Sequence, residues 1–321
     1  MPMNTEALHV VLGAGQIGTL LSRLLLQAGY RVRQVRRGPV GSPLTPNHEW
    51  LSGDMSDLAF AERAAEGASV IYDCMNPPYD RWPELLLPLG RGSLHGAAQA
   101  GARLVALDNL YAYGRPTGPM LPSTPEKPCS RKGALRQELG AERLEAHRQG
   151  RVQVAIGRAS DFVGPGMTLA AVFGERFFKR ALHGRAVECF GDPDQPHSYS
   201  YGPDVARALL TLGTDETAPG RIWHLPVNPA ETTRQVIDRF AARLGHRIRI
   251  VRIPDVALQA AGIFWPLARE IAEMTYQWKV PYVLDDSAFR TVFGITPTPW
   301  DEVIEATLDW ARPLYTPQAA A

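Results

Sequence analysis

The sequence predicts an α/β protein: a doubly wound parallel sheet followed by a smaller, mostly helical C-terminal substrate region. Short apolar runs alternate with stretches of helical period as far as about residue 160. Those runs are continuously apolar, as strands covered on both faces are. Beyond residue 160 come turn-rich segments, "DFVGPGM", "GDPDQPHS" and "VNPAETT", and then helices over 233–244, 255–279 and 301–312.

Each element follows from its residues. Leu8–Leu12 is a short apolar strand ending in "GAGQIG". Ile17, Leu20, Leu21, Leu24 and Leu25 then recur at helical spacing, and Gly29 ends that helix. "YRVRQVRR" alternates as a second strand. "ASVIYDC" (68–74), "ARLVALD" (102–108) and "RVQVAIGRA" (151–159) read as buried strands, with helices 83–100 and 132–148 between them. Right-handed crossovers turn this alternation into one doubly wound sheet. Trp223-His224-Leu225 reads as one more strand returning to it, and the tail "TPQAAA" as frayed.

The chain has 321 residues, 45% hydrophobic and 21% charged, with a net charge of +1 and acids and bases interspersed. That balance gives no footprint for nucleic acid or an anionic membrane, so a small-molecule partner is expected. No apolar run approaches the roughly 20 residues that span a bilayer. The N-terminus lacks the pattern of a signal peptide. Cys74, Cys129 and Cys189 are odd in number and far apart, which suits a reducing cytoplasm and no disulfide framework. Cys189, Asp192, Asp194 and His197 lack metal-ligand spacing, so no metal is expected. Trp82 and Trp265 read as core or pocket walls.

Gly13-Ala14-Gly15-Gln16-Ile17-Gly18 closes a strand and opens a helix, the context in which GxGxxG has a mechanism. Gly13 permits the tight turn, and Gly15 lets a pyrophosphate approach the backbone. Gly18 packs helix against strand, and the helix N-terminus faces the anion. An acid about 20 residues on would hold the NAD ribose. The chain instead has Arg36 and Arg37 in "QVRRG", which suits the 2′-phosphate of NADP, with NAD the alternative. Asp54 in "SGDMSD", with Met55 beside it, is placed to accept from the adenine amine, or to cap the helix starting near Asp57. Met75 and "NPPY" (76–79), with Asn76 and Pro77, line the same groove after the fourth strand. The expected division is a dinucleotide-binding domain over 1–160, with a returning strand near 221–226, and a substrate-binding region over 161–220 and 227–321.

With "NLYAYG" (109–114), "RASDFVGPG" (158–166) and "SYGPDVARAL" (200–209) in order, the chain resembles the extended short-chain dehydrogenase/reductases, the NAD-dependent epimerase/dehydratase-like Rossmann proteins. The resemblance implies a catalytic Tyr-x-x-x-Lys motif, but none of the ten tyrosines is followed by lysine four residues on. Aligning Pro128 and Gly133 with the family pattern puts Lys132 at the tyrosine and Arg136 at the lysine. Asn109 falls at the assisting polar residue. One reading is a substituted acid/base site: Lys132 donates the proton, Arg136 holds the nicotinamide ribose and Asn109 steadies the oxyanion. Tyr111 and Tyr113 are rival donors, although the family has a structural tyrosine at the position of Tyr113. The other reading makes Lys132 and Arg136 solvated charges at a helix start. On the substrate side, Asp161 takes the place of a substrate-facing Asn or caps the following turn, and His197 contacts substrate or is structural. The family's diphosphate-gripping Arg is replaced by Pro196-His197-Ser198. The resemblance also implies a homodimer through helices 83–100 and 132–148. The activity expected is an NADP-preferring oxidoreductase acting on a small carbonyl or alcohol. The alternatives are an epimerase/dehydratase with tightly held NAD(P), or a non-catalytic NADP-binding redox sensor.

Overall fold

A computed structural model describes residues 6–168 and 171–316. The chain begins β1 (Leu8–Leu12), α1 (Gln16–Gln27), β2 (Arg31–Arg36), β3 (His48–Ser52), α2 (Leu58–Ala65) and β4 (Ala68–Asp73). It continues with α3 (Trp82–Ala100), β5 (Arg103–Asp108), α4 (Arg131–Arg148) and β6 (Val154–Arg158). Then come β7 (Asp161–Val163), α5 (Glu175–Ala181), β8 (Val187–Phe190), β9 (Pro196–His197) and β10 (Tyr199–Tyr201). α6 (Gly202–Thr214), β11 (Ile222–His224), β12 (Glu231–Thr232), α7 (Thr233–Leu244) and β13 (Ile250–Ile253) follow. The chain closes with α8 (Asp255–Phe264), α9 (Pro266–Met274), α10 (Ser287–Phe293) and α11 (Trp300–Tyr315).

Two compact units emerge. The first comprises residues 1–112, 131–159 and 205–225; the second comprises 113–130, 160–204 and 226–321. Residues 205–220, read from sequence as substrate region, therefore cluster with the sheet. That sheet has seven strands in the order β11-β6-β5-β4-β1-β2-β3, every pair parallel. The order reverses between β1 and β4, the switch point at which doubly wound sheets bind ligands. Every residue of β1 and of β6 is buried, which explains why these strands read as unbroken apolar runs.

One polar side chain lies inside β1. His9 is 2% exposed, its Nδ1 is 3.1 Å from the Tyr72 hydroxyl, and its ring packs on Tyr30. Burial lowers its pKa from 6.5 to about 4, so the folded chain holds it neutral. Below pH 6.5 the unfolded chain takes up a proton that the folded one refuses. This contribution to stability is complete above that pH and is lost as pH falls towards 4, roughly 3 kcal/mol in all. Urea unfolding across that window, compared between wild type and His9→Asn, is expected to give a shallower pH slope in the variant. Equal slopes would remove His9 from the acid response.

The second unit contains three two-stranded pairings: β10 with β7, β12 with β9, and β13 with β8. Its core is aromatic, with Phe173, Phe177, Phe178, Phe240, Tyr199 and Trp300 in one cluster. The continuous helix expected over 255–279 is instead α8, α9 and a 3-10 turn at Thr275–Trp278. Pro266 causes the break: Trp265 before it takes an extended backbone (φ −125°, ψ 102°), and Pro266 starts the next helix. Of the tail expected to fray, 316–321, all but Thr316 lies outside the described residues.

Candidate active site

The glycine loop sits at the carboxyl end of β1. Gly13 has φ +102°, and a Cβ there would lie 2.9 Å from the Cys74 carbonyl oxygen at the end of β4. A Cβ on Gly18 would lie 2.0 Å from the Gly13 carbonyl oxygen, so turn and helix meet in a contact that only glycine fits. Gly15 differs: a Cβ there meets nothing within 4 Å. Gly15 is also the N-cap of α1, with no side-chain cap and no acid in the first turn. Open space over a helix start that has no side-chain cap is an anion cradle, and a dinucleotide pyrophosphate fits it. Gln16 opens α1, whereas Ile17 and Gly18 are buried, so their part in the cradle is backbone.

Arg36 and Arg37, at the end of β2, are both exposed. Arg37 Nη1 is 4.0 Å from Asp54 Oδ2. Asp54 Oδ1 accepts from the backbone N–H and hydroxyl of Ser56, at 2.9 and 2.8 Å. Partial burial raises the Asp54 pKa, but those bonds and Arg37 outweigh it and hold the carboxyl below its usual range. Asp54 does not cap α2. That role belongs to Asp57, whose side chain accepts from Ala59 and Phe60. Met55 is buried.

A charged residue ends each of three neighbouring strands: Asp73 on β4, Asp108 on β5 and Arg158 on β6. All three are buried. Asp73 accepts from Met75 N–H and the Ser93 hydroxyl, at 3.1 and 2.8 Å, and pairs with Arg143. Asp108 accepts from Arg158 Nε at 3.0 Å, and its other oxygen lies 3.4 Å from Arg136 Nη1. Arg136 Nη2 donates to Asn76 Oδ1 at 3.3 Å. Burial lowers the Arg136 pKa, while Asp108 pulls the other way.

Lys132 and Arg136, one turn apart on α4, are buried, being 2% and 7% exposed, so they are not solvated charges at a helix start. Lys132 Nζ stands 4.7 Å from the Tyr79 ring centroid, and the Arg136 guanidinium 4.5 Å from that of Trp82. Cations over aromatic faces are attracted by the ring quadrupole. The Tyr79 and Tyr111 hydroxyls are 2.6 Å apart. Trp82 Nε1 donates to the Pro77 carbonyl at 3.0 Å, fixing the loop that carries Tyr79. Asn109 Oδ1 accepts from Tyr111 N–H at 3.1 Å, holding the turn that presents Tyr111. The arrangement thus offers a phenol pair flanked by a lysine, on an ion network that joins three strand ends.

Of the residues singled out from sequence, Lys132, Arg136, Asn109, Asn76 and Tyr111 come together here. Trp82, read as core or pocket wall, and Tyr79, at the end of the groove-lining stretch, join them; Asp73, Asp108, Arg143 and Arg158 were not singled out. The strand-end charges were there to be seen, because side chains at carboxyl ends of parallel strands face the ligand crevice. Arg143 lies two turns after Arg136 on the same helix face. The pairing of Tyr79 with Tyr111 had no such signal, since Tyr79 sits in an irregular loop.

The second unit holds the remaining candidates. His197 Nε2 is 2.8 Å from Asp161 Oδ2, and its ring stacks with those of Trp278 and Tyr282. Tyr113 is buried. Among the described residues no group of three or more His, Cys, Asp or Glu could hold a metal ion.

Residues 93–225 match the model of the NAD dependent epimerase/dehydratase family. No curated protein matches the sequence. Solved structures match over almost the whole chain. UDP-glucuronic acid 4-epimerase from Bacillus cereus, in complex with NAD, is 17% identical with a TM-score of 0.76, over 96% of this chain and 100% of that one. A putative epimerase from Burkholderia cenocepacia J2315 is 16% identical with a TM-score of 0.78, over 97% and 100%. dTDP-glucose 4,6-dehydratase from Bacillus anthracis str. Ames, in complex with NAD, is 16% identical with a TM-score of 0.75, over 96% and 97%. Residues 93–225 are thus similar to the NAD dependent epimerase/dehydratase family, and nearly the whole chain shares its fold with solved epimerases and a dehydratase.

Proposed function

We propose that this protein holds a nicotinamide dinucleotide on its seven-stranded unit and acts as an epimerase or dehydratase on a hydroxyl-bearing small molecule, through transient oxidation. The observation that carries this is the open glycine cradle at the same carboxyl end of the sheet as buried Lys132 and Arg136 and the half-buried Tyr79–Tyr111 pair. The family match and the NAD-bound neighbours favour transient oxidation over net turnover of cofactor. A bound nicotinamide supplies reversible two-electron acceptance from a carbinol carbon. The protein's own part is the proton. The Tyr111 and Tyr79 hydroxyls, bonded to each other, take and return the carbinol proton, and Lys132 above the Tyr79 ring stabilises negative charge on that pair. Arg136 and Asn109 fix the crevice around it. Arg36 and Arg37, with no acid at the end of β2, favour the 2′-phosphate form of the cofactor, although the solved neighbours hold NAD.

The test is a fluorescence titration of the purified protein with NADPH and NADH, repeated on Arg36→Ala. Micromolar NADPH binding is expected, weakened about fivefold to tenfold by loss of one phosphate contact. If neither cofactor binds at micromolar concentration, the proposal fails. Binding followed by steady consumption of free NADPH with a carbonyl panel would convert the reading to a net oxidoreductase.

A further inference from the structure

We propose that the α8–α9 hairpin is a peripheral membrane anchor that inserts its tip into an anionic lipid surface. Residues 256–268 carry no charged side chain. They are nevertheless largely out in solvent: Val256 is 73% exposed, Ile263 76%, Phe264 90% and Trp265 51%. Trp265, expected from sequence in the core or a pocket wall, is at the turn between the two helices. Contiguous apolar surface of this kind on a water-borne protein marks a binding site.

The shape of the patch selects its occupant. Residues 256, 257, 259, 260, 261, 263 and 264 are exposed, and at 100° per residue they sweep about 200° of the α8 circumference. A helix laid on a protein partner needs a stripe of roughly 100°. Without Gln259 at its margin the exposed apolar face still spans about 160°, and a face wider than that stripe, ending in an aromatic turn, suits a solvent that reaches round it. The interfacial region of a bilayer is such a solvent, and tryptophan is at home there.

Charge agrees with this choice. The whole-chain balance of +1 conceals a local run, "RLGHRIRIVR" over 243–252, with four arginines and no acid, leading directly into the hairpin. Arg247, Arg249 and Arg252 are exposed. Acids close to the tip are paired or set back: Asp255 with Lys279 at 2.6 Å at the hairpin base, and Glu270 with Arg269 at 3.4 Å. An apolar insertion joined to a basic stretch is the two-signal combination that gives stable peripheral attachment. No helix among the described residues is long and apolar enough to cross a membrane, so the attachment is to one leaflet.

The test is flotation of the full chain with vesicles of phosphatidylcholine alone or mixed with phosphatidylserine. The variants are Phe264→Ser/Trp265→Ser, Arg247→Gln and Arg249→Gln, with thermal melts as the folding control. Wild type is expected to float with the phosphatidylserine vesicles at low salt, and less with phosphatidylcholine alone. The tip variant should lose at least about tenfold in partitioning. Each arginine variant should lose about fivefold, equivalent to roughly 1 kcal/mol. Wild type that stays with the unbound protein overturns the proposal, as does flotation unchanged in the tip variant. So does a concentration-dependent oligomer, seen by sedimentation, that disappears in the tip variant without any vesicle binding: the patch would then meet a second copy of the chain.

Discussion

Asp108→Ala is expected to lower the unfolding free energy by about 3–5 kcal/mol, a large share of what holds a domain together. Asp108 is the carboxylate between two guanidinium groups, Arg158 at 3.0 Å and Arg136 at 3.4 Å, and Arg158 is fully buried. Without it, two cations remain inside with no anion between them. The loss comes mostly from that stranded charge, since an intact buried ion pair contributes little net stability against well-packed apolar residues. Asp108→Ala/Arg158→Met should therefore recover part of the loss, because it removes one stranded charge as well as its partner. Urea unfolding of both variants measures this. A cost below about 1 kcal/mol for the single variant would mean that water or rearrangement compensates the arginines, and that the network does not shape the crevice.

The second large effect is a contrast between two glycines of one loop. Gly15→Ala should leave stability within about 0.5 kcal/mol of wild type, since the added methyl enters open space. It should still weaken dinucleotide binding at least about tenfold, because that space is where a pyrophosphate must come close. Gly18→Ala should lose both properties. Its Cβ would fall 2.0 Å from a backbone carbonyl that cannot step aside, and overpacking of this kind costs about 1–3 kcal/mol. Thermal melts and cofactor titrations on the two proteins separate the cases. A Gly15→Ala protein that binds NADPH as tightly as wild type would remove the cradle from the cofactor site.

The parallel sheet was legible because its strands are buried on both faces and its glycine loop is a local signature of turn, strand and helix. Lys132, Arg136 and Asn109 were singled out by position within a resemblance, and their neighbours carried a weaker signal. Tyr79 reaches Tyr111 across a gap of 32 residues, from a 3-10 turn with no periodicity to mark it. Asp73, Asp108 and Arg158 read as ordinary strand termini until the sheet order makes them neighbours. The hairpin at 255–274 was misread for the opposite reason. Apolar period normally signals packing, and the one residue that announced a break, Pro266, starts helices as readily as it stops them.

The sheet unit is assembled from three separate stretches of chain, and its last strand, β11, comes after residue 220. During synthesis, β1 to β6 leave the ribosome with one long edge of β6 still open. The whole of 160–204, which belongs to the other unit, must emerge before Ile222–His224 can close that edge. Trp223, 1% exposed in the finished protein, arrives with it. A nascent chain stalled before that point carries an unpaired parallel edge, and this is the interval in which the protein is most exposed to strand exchange with its neighbours.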